Sequence, residues 1–142
     1  MKKTILAMIA LGLIIFLSSC GDRNRVVAEN GKVTIPASEV NDGKAHHYTV
    51  SAGGKNISFF VLQSNDGVVR AAFDACDVCF PAKKGYSQDG DFMICNNCGR
   101  AFHESKINVE QGGCNPAPLQ RTFDENSITI AVGDIAKGAT FF

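Results

Sequence analysis

Asn56-Ile57-Ser58-Phe59-Phe60-Val61-Leu62-Gln63, followed by Asn65-Asp66-Gly67 and then Val68-Val69-Arg70-Ala71-Ala72-Phe73, reads as a β-hairpin. Both arms are rich in β-branched and aromatic side chains, which pack well on a pleated surface. The Asn, Asp and Gly between them tolerate the positive φ that a tight connection requires. Working outward, Tyr48 to Ser51 reads as another strand, set off by the turn signals Asn41-Asp42-Gly43 and Gly53-Gly54. Ser127 to Val132 alternates apolar and polar residues and is expected to close the sheet. Pro36 to Val40 suits one helical turn, with proline near its start. No long segment follows a helical period and no repeat is present. The fold expected is mainly β: a small antiparallel β-sandwich or barrel.

The ends and the charge set the chain's class. Lys2 and Lys3 precede an uncharged run from Ile5 to Leu17, then Ser18-Ser19-Cys20. That apolar run suits the core of a secretory signal and falls short of the ~20 residues of a membrane-spanning helix. Leu17-Ser18-Ser19-Cys20 also looks like a lipobox, in which lipid is joined to the Cys20 thiol before cleavage on its amino side; an ordinary signal peptide or short anchor is the plainer alternative. The expected organisation is a lipoprotein-type signal over residues 1–19, a polar tether over 20–31 and one domain over 32–142. Removing Lys2 and Lys3 from the 14 basic residues leaves 12 against 14 acidic, a net charge of −2. Apart from Lys83-Lys84 the basic residues of this mature part are scattered, so no phosphate-binding stripe forms and no nucleic-acid partner is expected.

Six cysteines are present. With Cys20 assigned to lipid, an odd number remains. Cys76, Cys79, Cys95 and Cys98 have the form C-x2-C-x15-C-x2-C, a metal-site spacing. Two thiolates separated by two residues curl around one tetrahedral ion or one face of a cluster, and two such knuckles supply four soft ligands. Gly99, just after the second pair, lets that knuckle turn so that backbone N–H groups face sulfur. The competing reading is disulfides, because an exported chain meets an oxidising compartment. A thioredoxin-like motif lacks its βαβ context here. Cys114, in Gly112-Gly113-Cys114-Asn115-Pro116, is open between a fifth ligand, a redox partner to the site, an attachment point for a second metal and a free, partly buried thiol. His103 lies five residues past Cys98 and is an additional candidate ligand, set against a bland surface imidazole. His46-His47 reads as an exposed pair. Phe73, Phe80, Phe92 and Phe102 flank the cysteines and are expected mostly in the core. No Ser/His/Asp grouping or phosphate-cradling loop stands out, so the chain is not expected to be an enzyme.

The run Phe73-Asp74-Ala75-Cys76-Asp77-Val78-Cys79, then Lys84-Gly85-Tyr86, Ile94-Cys95-Asn96-Asn97-Cys98-Gly99 and Gly112-Gly113-Cys114-Asn115-Pro116-Ala117-Pro118-Leu119, closely resembles the FtrD-like membrane iron-sulfur protein family. The likeness covers roughly residues 45–142. It implies an iron-sulfur cluster on Cys76, Cys79, Cys95 and Cys98, and a link to bacterial iron uptake in which ferrous iron is oxidised and passed through a permease. Many such proteins carry a multi-span membrane region, so the permease or redox partner is expected to be a separate polypeptide. A looser likeness to Rieske-type ferredoxins lies in the order of strands and ligand loops. Rieske loops supply one Cys and one His each, whereas both loops here are all cysteine, which lowers the expected potential. The resulting expectation is an electron-transfer lipoprotein, anchored in the cell envelope with its domain outside the cytoplasm. A zinc- or copper-binding accessory lipoprotein of a transporter is the alternative, since clusters are normally assembled inside the cell. Thiol-disulfide exchange is a third reading.

Overall fold

A computed structural model describes residues 24–142; the expected signal and the lipid attachment at Cys20 lie outside the described residues. Ten short strands run in the order β1 (Asn24–Arg25), β2 (Lys32–Pro36), β3 (His46–Ala52), β4 (Lys55–Gln63), β5 (Val69–Phe73), β6 (Tyr86–Asp89), β7 (Phe92–Cys95), β8 (Ala101–His103), β9 (Thr122–Phe123) and β10 (Ser127–Ala131). Among the described residues, one α-helical segment, α1 (Val132–Ala136), leads into a 3-10 segment, Lys137–Phe141. The expected turn after Pro36 is a 3-10 turn, Ala37–Glu39. The fold is mainly β, as expected, and is built as three small sheets ordered β1-β3-β4-β5, β2-β10-β9 and β6-β7-β8.

The hairpin read from the sequence is β4–β5, antiparallel with Gln63 opposite Val69 and Phe59 opposite Phe73. Its first arm is apolar almost throughout because both of its faces are covered. Ile57, Phe59 and Val61 point into a core shared with Val33, Ile35, Ile128, Ile130 and Ile135. Phe60 and Leu62, on the opposite face, pack with Tyr86, Met93, Ile107 and three cysteines. The first sheet is therefore a middle layer between the β2-β10-β9 sheet and the cysteine-bearing part. Each fully buried Phe, Ile or Leu here contributes roughly 1.5–3 kcal/mol by leaving water.

Two expectations are corrected. Ser127 to Val132 does not close the hairpin sheet; β10 ends at Ala131 and pairs with β2 and β9, while Val132 starts α1. Alternation shows that one face is buried but not which edge the strand joins. The outer edge of β5 is already occupied: Phe73 N–H donates to Ala117 O at 2.8 Å and Leu119 N–H to Ala71 O at 3.1 Å. The Asn108 amide adds to it, accepting from Ala71 N–H at 2.9 Å and donating to Ala71 O at 2.6 Å. The tether expected over 20–31 is, from Asn24 onward, part of the fold. Asn24 and Arg25 pair in parallel with Tyr48 and Thr49, and Val26 and Ala28 pack on the first core.

The cysteine-bearing part is fastened to the hairpin by a buried arginine. Arg70 is 5% exposed; its guanidinium donates to Ser64 Oγ, Ile107 O and Asp66 Oδ2 at 2.8, 2.8 and 2.6 Å. The charge is tolerated because each face of the fork finds an acceptor. Among the described residues no helix is long and apolar enough to cross a membrane.

Candidate metal centre

The first knuckle leaves β5 directly and ends in the 3-10 turn Phe80–Ala82. Asp74, 3% exposed, braces it: its N–H donates to Ser58 O at 2.9 Å and its Oδ1 accepts from Tyr86 N–H at 2.7 Å. The second knuckle forms the turn between β7 and β8. There Gly99 takes φ +73°, and its N–H donates to Cys95 O at 2.8 Å. The two knuckles aim backbone N–H groups at sulfur in the same way: Cys79 N–H donates to Cys76 Sγ at 3.1 Å, and the N–H groups of Asn97 and Cys98 face Cys95 Sγ. This is the turn that Gly99 led one to expect.

Cys114 arrives from a different part of the chain. The pairing of residues 117–119 with β5 delivers its loop, and Tyr86 Oη donates to Cys114 O at 2.6 Å. The thiols then fall into two groups. Cys76, Cys79 and Cys95 lie mutually within 4.8 Å, as do Cys79, Cys98 and Cys114. Cys79 belongs to both. Cys76, Cys79 and Cys95 are 1%, 8% and 2% exposed, whereas Cys98 is exposed and Cys114 half-buried. The site thus has an inner side in the second core and an outer side at the surface.

The electrostatics cut across this division, with one thiol lowered and one raised on each side. Burial raises Cys76, but the N–H of Cys79, the Tyr86 hydroxyl and the N–H of Val78 outweigh it and hold the thiol below its ordinary value. Burial pushes Cys95 up to about 11 against the N–H groups that face it. Exposed Cys98 is lowered to about 7, chiefly by the Arg100 N–H and then by hydrogen bonds from neighbouring thiols. Thiolate is thus favoured where backbone dipoles reach sulfur, and opposed where burial prevails.

Residues 40–142 match the family described as "Membrane iron-sulfur containing protein FtrD-like". The chain belongs to the FtrD-like family. No curated protein matches it in sequence. Among solved structures it is similar to the quaternary ammonium Rieske monooxygenase CntA in complex with an inhibitor, at 14% identity and a TM-score of 0.47. That likeness covers 75% of this chain and 32% of the other, so the chain spans about a third of that protein's length.

In this FtrD-like domain the other sequence candidates take different places. Neither thiol group contains His103. Its Nδ1 accepts from Ser105 N–H at 3.2 Å and starts the 3-10 turn Glu104–Lys106, while its ring stands edge-on to Phe92 at 5.1 Å. His46 and His47 are half-buried instead of exposed. His46 Nε2 contacts Asp42 Oδ1 at 2.8 Å; His47 lies on Phe60 at 5.6 Å with Nδ1 3.6 Å from Asp74 Oδ2. Phe73 and Phe102 pack as core; Phe92 is 43% exposed. Three participants were not legible beforehand: Asp74, Tyr86 and Asn97, whose side chain reaches Cys79. All three stand in the stretches that carry the family resemblance, but nothing there gave them a role.

A cavity of about 350 Å3 opens against the inner thiols, bounded by Cys76, Cys79, Cys95, Lys84, Tyr86 and Phe142. The donor set fits a thiolate-bound metal or iron-sulfur centre: every candidate donor is soft sulfur, N–H groups face Cys76 and Cys95, and Phe60, Tyr86 and Phe102 form an apolar wall behind them.

Proposed function

We propose that this FtrD-like chain is a lipid-anchored protein of the cell envelope that carries an iron-sulfur or related thiolate-bound centre and passes electrons within a metal uptake system, iron being the metal concerned. The observation that carries this reading is the convergence of five cysteine thiols from three separate segments at one end of the second core. Cys76, Cys79, Cys95 and Cys98 are its principal ligands. An iron-sulfur centre supplies one-electron chemistry when bound; the chain supplies the rest. Burial of Cys76 and Cys95 keeps water from two sulfurs, and their N–H partners, joined at Cys76 by the Tyr86 hydroxyl, steady the negative charge of thiolate. Exposed Cys98 leaves one edge of the site open to a partner protein, a geometry suited to electron transfer. That partner would be a separate permease or redox protein. Membrane attachment rests on the Leu17-Ser18-Ser19-Cys20 motif.

The test is to express the full chain with its own leader, purify it anaerobically in detergent, and measure metal, acid-labile sulfide and the visible spectrum. Iron with sulfide and visible absorption bands is the expected result. A colourless protein with one zinc ion per chain would replace the carrier reading with that of a zinc-binding accessory protein, and copper would do the same for a copper-binding one. Palmitate labelling that is lost in Cys20→Ser checks the anchor independently.

A further inference from the structure

Cys79 is common to the two thiol groups, and it is the key to what Cys114 does. Its Sγ lies 3.8 Å from Cys114 Sγ. Metal-sulfur bonds of about 2.3 Å put two ligands of one tetrahedral ion about 3.8 Å apart, whereas a disulfide brings sulfurs to about 2.05 Å. The spacing is too long for a disulfide and suits two thiolates on one ion as well as it suits two thiols in contact. Cys79 also shares the inner group with Cys76 and Cys95, so its sulfur stands where two sets of three donors meet. A sulfur so placed can bridge.

We infer that the centre has two ion positions joined by Cys79: an inner one on Cys76, Cys79 and Cys95, and an outer one on Cys79, Cys98 and Cys114. Cys114 is then a ligand and not a spare thiol. This rests on the reading that these cysteines hold a metal centre, and it goes beyond it in assigning a second position and a fifth ligand. Charge supports the count. Five thiolates around one divalent ion leave three negative charges uncompensated, and around two ions only one, in a place where several of the sulfurs have little water. The two positions differ in access: the inner lies between the second core and the cavity, and the outer lies at the surface, where an ion or an electron partner arrives first. The ions concerned are thiophilic divalent ones that accept three or four sulfurs, such as ferrous iron, zinc or cadmium.

The probe is cadmium-113, which is redox-silent and reports its ligands. The full chain, in detergent, reduced with a phosphine and freed of metal, is titrated anaerobically with 113Cd(II), followed by native mass spectrometry and 113Cd NMR. The expected result is two cadmium ions per chain and two all-sulfur resonances split by mutual coupling through the shared Cys79 sulfur. Cys114→Ser is expected to lower the count from two to one and to remove the coupling while one resonance persists. One cadmium per chain in the wild type, or two resonances without coupling, overturns the two-position assignment and leaves the metal-centre reading standing. No tightly bound cadmium overturns both. The coupling in the wild type decides the matter even if Cys114→Ser fails to fold.

Discussion

Gly85 stands so close to the Asp74 carboxylate that a β-carbon on it would lie 2.5 Å from Asp74 Oδ1. Gly85 also holds φ +64°, and its carbonyl accepts the Asn96 N–H at 3.0 Å. One glycine thus lets the brace of the first knuckle touch the start of β6 while its carbonyl holds Asn96 of the second knuckle. Gly85→Ala is expected to cost more than the about 1–2 kcal/mol of a left-handed non-glycine residue alone, because Asp74 must also move. Gly90, at φ +56° with open space where a β-carbon would stand, isolates the backbone share. Urea midpoints of Gly85→Ala and Gly90→Ala that coincide would show that the Asp74 contact carries no weight.

Asn108 acts as a strand partner made from a side chain. Its amide serves both the N–H and the carbonyl of Ala71 and reaches Leu119 O at 3.3 Å, from a backbone at φ +67°. Asn108→Ala leaves the Ala71 N–H without its partner, at about 1–3 kcal/mol, leaves Ala71 O with the Leu119 N–H alone, and forces alanine into the left-handed region. Asn108→Gly loses the same bonds without the strain. Denaturant unfolding is expected to rank wild type above Gly, and Gly above Ala by about 1 kcal/mol; a reversed order of the two variants would show that strain at Asn108 is not a factor.

Acid should loosen the hairpin turn first. Asp66 is lowered to about 2 from its ordinary 3.8 by Ser64 Oγ, the Val68 N–H and Arg70. A carboxyl depressed in the folded state adds stability that is complete above about pH 4 and is lost as pH falls toward 2. Asp66→Asn is expected to be less stable than wild type at pH 7 and to show a flatter decline between pH 4 and pH 2, read by circular dichroism melting. Parallel curves for the two proteins would remove Asp66 from the account.

The metal-free, reduced chain should react with iodoacetamide in a set order. Cys98, exposed and lowered to about 7, is attacked first; Cys95, buried and pushed up to about 11, is attacked last. The Cys98 rate should rise roughly tenfold between pH 6 and pH 8 and then level off, as its thiolate fraction saturates. Peptide mapping that finds Cys95 modified as fast as Cys98 at pH 7 in folded protein would contradict the inner and outer division of the site.

The β4–β5 hairpin is legible from its own residues, because Ile57 to Leu62 and Val69 to Phe73 carry β-branched and aromatic side chains on either side of Asn65-Asp66-Gly67, and these are local properties. The two knuckles are legible in the same way, since their spacing and the Gly99 turn are written within a few residues of each thiol. Contacts between distant segments settle the rest. The pairing of β10 with β2 depends on which sheet edges remain free, and residues 117–119 occupy the outer edge of β5. The short β6-β7-β8 sheet does not announce itself, since its strands of three and four residues carry little pattern. Cys114 is one thiol of undecided duty in the sequence, 35 positions from Cys79. Only the closure of its loop on β5 and the Tyr86 hydroxyl brings it into line with the knuckles, because a chain's spacing constrains neighbours within a turn while burial and backbone pairing decide which remote segments meet.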